Sequence, residues 1–401
     1  MKKKILIAAL AVVLALSLFA GCAPASSAAG EATGTPAASE AVSQVSEGET
    51  QNATNEKSIK IGVSIWGTAD PLGKTVSGMI DYAADALGVE VEYAATNFDT
   101  DAVVSSVENL VASGCKGIII CNSADGQMPK VIKTCQDNGV YLAQFFRTIS
   151  DEDVKALADQ SDYFVGRTCE NEYDVGYNLG LIMADKGCKN VGIISYNHGD
   201  LTAETRYTGY VAAFKEKGIN ILAEQWECLT AEEGATAANS FLSSYPELDG
   251  IAVVGGGGEP LSGTMNAIEN NGKTGKIVVV STDFTTTLAE DLEAGKVSAM
   301  SGGHWTDPFF SFMLVYNAIN GAYDPAEFPI EINHPMIYVS SPDDYRNYQK
   351  WFEGEIPPFN TEEIKNLAIT FNPQTTLDDL KAAAANLSLE DVMTRHEGQI
   401  D

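Results

Sequence analysis

Basic residues are scarce in this chain: 25 Lys and Arg stand against 55 Asp and Glu, a formal net charge of −30. That balance repels nucleic acid and anionic lipid surfaces, so neither is expected as a partner. It also disfavours polyanionic ligands unless a local basic pocket overrides the field. Histidine is scarcer still, with four scattered residues, and no two of the seven cysteines stand in C-x-x-C spacing, so no metal site can be read from them. Several enzyme signatures are missing too. There is no G-x-S-x-G elbow and no H-E-x-x-H helix. The run Gly255-Gly256-Gly257-Gly258 fails the dinucleotide pattern, because Pro260 and Leu261 fall where its last glycine belongs. Gly73-Lys74-Thr75 and Gly272-Lys273-Thr274 end like phosphate loops, but Thr68 and Ala267 occupy the places of the earlier glycines. No cofactor or metal is therefore expected. A hydrolase whose catalytic groups converge without a local motif stays open as a minor alternative.

Long apolar runs are almost absent as well. The exception is Ile5 to Phe19, broken only by Ser17 and preceded by Lys2, Lys3 and Lys4. It is too short for a stop-transfer helix and has the build of a secretory signal. It ends in Leu18-Phe19-Ala20-Gly21-Cys22, which resembles the bacterial lipoprotein signal. On that resemblance residues 1–21 are removed and Cys22 becomes the lipidated N terminus, anchored on the outer face of the cytoplasmic membrane. Phe19 stands where leucine is usual, and an ordinary cleaved signal with an incidental cysteine is the alternative. Residues 22–57 are rich in Ala, Ser, Thr, Glu and Gly. They hold too little apolar surface to offset chain entropy and read as a disordered tether. The later cysteines, Cys115, Cys121, Cys135, Cys169, Cys188 and Cys228, are even in number and permit disulfides, but they read better as buried free thiols.

From residue 58 the pattern becomes regular. Ile59 to Ile65 is a β-rich run, and the next segment has apolar residues at Val76, Met79, Ile80, Ala83, Ala84 and Leu87, which is helical spacing. Gly117 to Cys121 is apolar throughout, the signature of a strand buried on both faces of a parallel sheet. The alternation continues to Val165 and starts afresh at Asn190, running to the helix after Pro308. About ten strands in two such runs predict an α/β chain of two doubly wound parallel-sheet lobes. Ligands of open sheets sit beyond the carboxyl ends of the strands, which singles out the residues there. After Pro329 the rhythm breaks, and the aromatic stretch Tyr345 to Phe352 and the leucines beyond it suggest a segment that packs against something.

The strand ends carry Ile61-Gly62-Val63-Ser64 with Asp70-Pro71, Gly117 to Asn122, Arg147, Arg206-Tyr207-Thr208-Gly209-Tyr210, Leu248-Asp249-Gly250-Ile251 and Val278 to Asp283. In that order and spacing, over about residues 58–325, they resemble the type I periplasmic binding proteins for sugars, the ribose- and galactose-binding group. The resemblance implies two Rossmann-like lobes joined by a three-crossover hinge that closes over a ligand. Residues 58–166 with about 304–332 form one lobe, 167–303 the other, and 333–401 a C-terminal extension. It implies a monomer that hands a small polar solute, a sugar first of all, to an ABC permease with a separate ATPase. A sensor subunit presenting a sugar, nucleoside or polyol to a membrane receptor is the alternative.

Positions matching Asn122, Arg147, Arg206 and Asp283 point at the ligand in the family. The chemistry agrees. Carboxylates and amides such as Asp70, Asn122 and Asp283 bridge adjacent hydroxyls, and Arg147 and Arg206 supply forked donors. Trp66, Phe145, Phe146 and Trp305 offer flat faces for sugar C–H groups. The chain also departs from the family pattern, with Leu72 and Gly73 where aromatics are common, Phe146 where an aspartate precedes the arginine, and glycines where an asparagine is expected. The pocket is therefore expected to be rebuilt, with Trp66, His304 and Trp305 substituting. Each residue has a plainer role open to it. Asp70 can be a turn residue, Asp283 a helix cap, the arginines salt bridges, Trp66 and Trp305 core, and His304 structural.

Overall fold

A computed structural model describes residues 59–97, 99–255 and 258–399. The signal, Cys22 and tether readings lie outside the described residues, as do Gly256 and Gly257 of the glycine run.

The first sheet is built from β1 (Lys60–Ile65), β2 (Glu90–Ala95), β3 (Gly117–Ile120), β4 (Tyr141–Phe145) and β5 (Phe164–Glu170), with β11 (Ile330–His334) returning to its edge. Its order is β11-β5-β4-β3-β1-β2, and every pairing is parallel. β3 is buried along its whole length, because α1 (Pro71–Leu87) and α10 (Asp307–Ile319) belong to the layers that cover this sheet. α1 turns Val76, Met79, Ile80, Ala83, Ala84 and Leu87 inward, which is the face its sequence period marks. α10 is apolar nearly all round and buried from Asp307 to Ala318, as a helix enclosed on all sides must be.

The second sheet repeats the pattern with β6 (Asn190–Ile194), β7 (Asn220–Gln225), β8 (Gly250–Val253), β9 (Val278–Thr282) and β10 (Ala299–Gly302). β12 (Ile337–Val339) closes its edge antiparallel to β10, giving the order β12-β10-β9-β8-β6-β7. The fold is thus two doubly wound sheets joined by three crossings, after β5, after β10 and between β11 and β12. Neither β11 nor the helix α4 (Glu152–Ala158) is among the elements read from the sequence. The six cysteines after residue 100 are all buried and unpaired. Burial pushes the Cys121 thiol up to about 11 and that of Cys135 to about 12, which keeps both inert.

The crossings are braced to one another. The Thr168 hydroxyl on β5 donates to the Asp307 carbonyl at 3.0 Å, and it pairs with the Ser311 hydroxyl at 2.8 Å. His334 at the end of β11 shares a 2.5 Å hydrogen bond with Thr306. Burial pushes the His334 imidazole down to about 3, so the ring is neutral.

Beyond β12 the chain touches both halves. Helix α11 (Pro342–Phe352) packs on α9 (Leu288–Glu293) of the second half, and α12 (Thr361–Asn366) packs on α1 of the first. Phe359 stacks on Phe309 of α10 at 4.9 Å. Among the described residues no helix is long and apolar enough to cross a membrane.

Candidate ligand-binding cleft

Because the strands of each sheet run parallel, the residues after β1, β3 and β4 emerge along one edge, and those after β6, β8, β9 and β10 along the corresponding edge of the other. Trp66 follows β1, and its Nε1 donates to Asp70 Oδ2 at 2.9 Å. Asp70 also caps α1, accepting from the Gly73 amide at 3.1 Å. The helix thereby holds the Trp66 indole beside Phe146, with ring centroids 6.0 Å apart. Phe146 follows β4 in a left-handed conformation, φ 59°. Its amide donates to Asp307 Oδ2 at 2.8 Å and to the Thr168 carbonyl at 3.1 Å, and its ring meets His304 edge-on at 5.3 Å. Trp66, Phe146 and His304 therefore form a row that runs from the first sheet to the second crossing.

Asn122 follows β3 and is 2% exposed. Its Nδ2 donates to the Ala124 carbonyl at 3.1 Å, and its Oδ1 accepts from Gln144 Nε2 at 2.6 Å. Gln144 Oε1 has no partner among the described residues, which leaves one buried acceptor in this amide pair. Arg147 donates to its neighbour's carbonyl, Phe146 O, at 2.9 Å. Among the described residues it has no carboxylate partner.

On the other side Arg206 projects from α6 (Leu201–Lys217). Its Nε donates to Glu172 Oε2 at 2.5 Å and its terminal nitrogens to Glu172 Oε1 at 3.0 Å and Val254 O at 3.4 Å. Burial works against its charge, but the Glu172 and Asp283 carboxylates outweigh it and hold the guanidinium charged. The pair forms because α5 (Glu172–Asp185) and α6 cross in close contact: a Cβ on Gly176 would fall 1.9 Å from the Arg206 carbonyl, and one on Gly209 2.1 Å from that of Tyr173. Asp283, at φ 72°, is fixed by its amide, which donates to Ser301 O at 2.8 Å. Its side chain is 37% exposed, and it lies 3.9 Å from His304 Nε2. Burial pushes the His304 imidazole down, although Asp283 opposes this.

Two residues that the sequence reasoning singles out as flat surfaces sit in the interior. Phe145 is fully buried, and Trp305 is buried with its Nε1 donating to Tyr348 Oη at 2.7 Å. Conversely, four polar groups near the cleft are missed: Glu170, Glu172, Gln144 and Asp307. Glu172 reads in sequence as an ordinary first-turn acid, and its partner lies 34 residues away. A polar residue within an otherwise buried strand, as Gln144 is in β4, is the one signal that marks any of them. Among the described residues no cluster of three or more His, Cys, Asp or Glu is arranged to hold a metal ion.

Glu170 lies in the field of Asp307 at the hinge, and each has an oxygen without a partner among the described residues. Burial pushes the Asp307 carboxyl up to about 7. The same cause, with the neighbouring Asp307 charge, raises Glu170 well above the carboxylate range. A carboxyl raised in the fold contributes stability that is full below its unfolded value and is lost as pH rises through about 7. Asp307→Asn keeps an acceptor for the Phe146 amide but cannot ionise. Its melting temperature relative to wild type should therefore climb between pH 5 and pH 8. A difference that stays flat over that window would show that the pair does not titrate there.

Sequence and fold comparisons converge on one family. A family model described as a periplasmic binding protein domain matches residues 61–320. The chain is 25% identical over 252 residues to the ABC transporter periplasmic-binding protein YphF of Escherichia coli, covering 60% of this chain and 74% of that one. It is 26% identical over 228 residues to the D-allose-binding periplasmic protein of the same organism, covering 55% and 71%. A solute-binding protein of Actinobacillus succinogenes, solved with bound D-allose, superposes with a TM-score of 0.62 at 19% identity, over 72% of this chain and 100% of that one. With two doubly wound sheets, three crossings and a matching model over most of its length, the chain belongs to the periplasmic binding protein family.

Proposed function

We propose that the chain is an extracytoplasmic lipoprotein that captures a small neutral sugar or a similar polyol by hinge closure and delivers it to an ABC permease. The observation that carries this reading is the row Trp66–Phe146–His304, flanked by Asp283 and Arg147. It sets aromatic faces for C–H groups beside acceptors and donors for hydroxyls, on both sides of a three-stranded hinge. The relative named for D-allose supports the substrate class. Ligand shifts the population toward the closed form by its differential affinity for that form. Energy for transport comes from ATP hydrolysed by a separate subunit. Lipidated Cys22 supplies the anchor, since each buried methylene contributes about 0.8 kcal/mol and a multiply acylated cysteine is stably held. Cys22→Ser should move the protein from the membrane to the soluble fraction, and retention on the membrane would refute the anchor.

A thermal-shift panel of pentoses, hexoses, polyols, nucleosides and amino acids tests the binding reading. A ligand that binds only the folded state stabilises it by about 2.7 kcal/mol at a hundredfold excess over Kd. The expected result is a clear rise in Tm with one sugar class. A rise with nucleosides or amino acids alone would replace the ligand, and flat curves throughout would sink the reading.

A further inference from the structure

Two of the proposed ligand groups, Asp283 and His304, stand on short turns of the second half, and neither turn is rigid on its own account. Asp283 adopts φ 72°, a region in which a non-glycine residue persists only when its surroundings hold it. His304 begins a single 3₁₀ turn, His304–Thr306, after a glycine at φ 84°. What lies behind both turns is α11 of the C-terminal extension, the segment whose aromatic stretch has no role in the sequence reading.

The contacts are specific. Phe284, next to Asp283, is gripped edge-on by two rings of α11, Tyr345 at 5.6 Å and Tyr348 at 4.8 Å. Those two rings stack on each other at 6.0 Å. Phe284 also lies against Gly302, where a Cβ would fall 2.7 Å from the ring. The Tyr345 hydroxyl donates to the Thr285 carbonyl at 3.2 Å. Trp305, next to His304, donates its indole N–H to the Tyr348 hydroxyl at 2.7 Å in a buried setting. One side chain, Tyr348, thus holds the neighbours of both ligand groups. Helix α11 is itself pinned by α14 (Leu389–Arg395) and by α9.

We propose that α11 is a positioning element of the binding site, in which Tyr345 and Tyr348, acting through Phe284 and Trp305, aim Asp283 and His304 into the cleft. The inference rests on the cleft reading above and extends it: residues that never touch the ligand set its affinity, and the extension becomes part of the site. Tyr348→Phe is the sharpest probe. It keeps the stacked ring and removes only the oxygen that accepts from Trp305, leaving a buried N–H unpaired.

The test uses the full chain and two readouts. The first is calorimetric titration with D-allose, D-ribose and L-arabinose. Affinity for whichever sugar binds should fall on the order of tenfold in Tyr348→Phe, within the range of couplings between residues in one network. That loss should vanish when His304→Gln is already present, because the tyrosine acts through that turn. An unchanged affinity, or the same loss in both backgrounds, would overturn the proposal. The second readout needs no ligand. In protein labelled at its histidines, the His304 signal is identified by its loss in His304→Gln. In Tyr348→Phe this signal should move and its titration midpoint should rise toward the ordinary imidazole value, while His198 and His396 stay put. If wild type binds none of the three sugars, the sugar reading is in trouble but the positioning claim is still decided here: a His304 signal unmoved by Tyr348→Phe refutes it.

Discussion

Replacing Arg206 with alanine is expected to cost about 3–5 kcal/mol of folding stability in addition to any ligand affinity. Considered as a ligand contact alone, Arg206 could be lost with little harm to the fold. The ion pair changes that expectation. Arg206 is 7% exposed, and the Glu172 side chain it meets through two nitrogens is only 18% exposed. Removing the guanidinium strands a carboxylate in a site already crowded with acid, since Glu170 lies in the field of both Glu172 and Asp307. It also empties space at the crossing of α5 and α6, where the backbones approach too closely to rearrange. Urea unfolding measures the effect directly. A double variant, Arg206→Met with Glu172→Met, removes both charges and should recover most of the loss, because well-packed apolar replacements of a buried pair are often neutral. If Arg206→Ala stays within about 1 kcal/mol of wild type, the pair is solvated in solution and the burial argument fails.

The same residues show why the fold is easier to read from the sequence than the site. Strand and helix periods are local, so Val76, Met79, Ile80, Ala83, Ala84 and Leu87 mark the buried face of α1 before any partner is known. β11 shows the limit of that method. Its alternation Ile330, Ile332, His334 is buried against β5, some 160 residues earlier in the chain, and nothing local announces that partner. β5 itself reads as strand only through Val165, because the polar Arg167, Thr168 and Glu170 follow. It continues because Thr168 finds Asp307 and Ser311 from α10, a long-range satisfaction of polar groups that a window on the sequence cannot contain.

At the cleft, the rule that ligands sit beyond strand ends finds Asn122, Phe146, Arg147 and Asp283, since position along the chain is all it needs. It does not distinguish a side chain aimed outward from one turned inward. Trp305 shows this: its residue type suits a sugar face, yet its indole is tied to Tyr348 in the extension. Which neighbours neutralise Arg206 is likewise a matter of helix crossing rather than of motif.

Asp283→Asn should lower ligand affinity about 100-fold while leaving stability almost unchanged, the reverse of the pattern expected at Arg206. The backbone at φ 72° suits asparagine, which shares aspartate's tolerance of the left-handed region, whereas alanine there would add strain and blur the result. Asp283's fold-holding bond is its amide to Ser301, which the substitution keeps. The side chain is the most exposed of the acids facing His304, and its neighbour at 3.9 Å is an imidazole held neutral by burial, so little native energy depends on the charge. A carboxylate that accepts from two ligand hydroxyls forms two charge-assisted bonds, each worth about 1.5–3 kcal/mol. The amide keeps one acceptor and turns the other into a donor, so one bond weakens and the second is opposed. Calorimetry with the sugar found in the panel, beside a melting curve of the unliganded protein, separates the outcomes. Equal affinity would remove Asp283 from the site. A lowered melting temperature without ligand would make it a structural residue that merely faces the cleft.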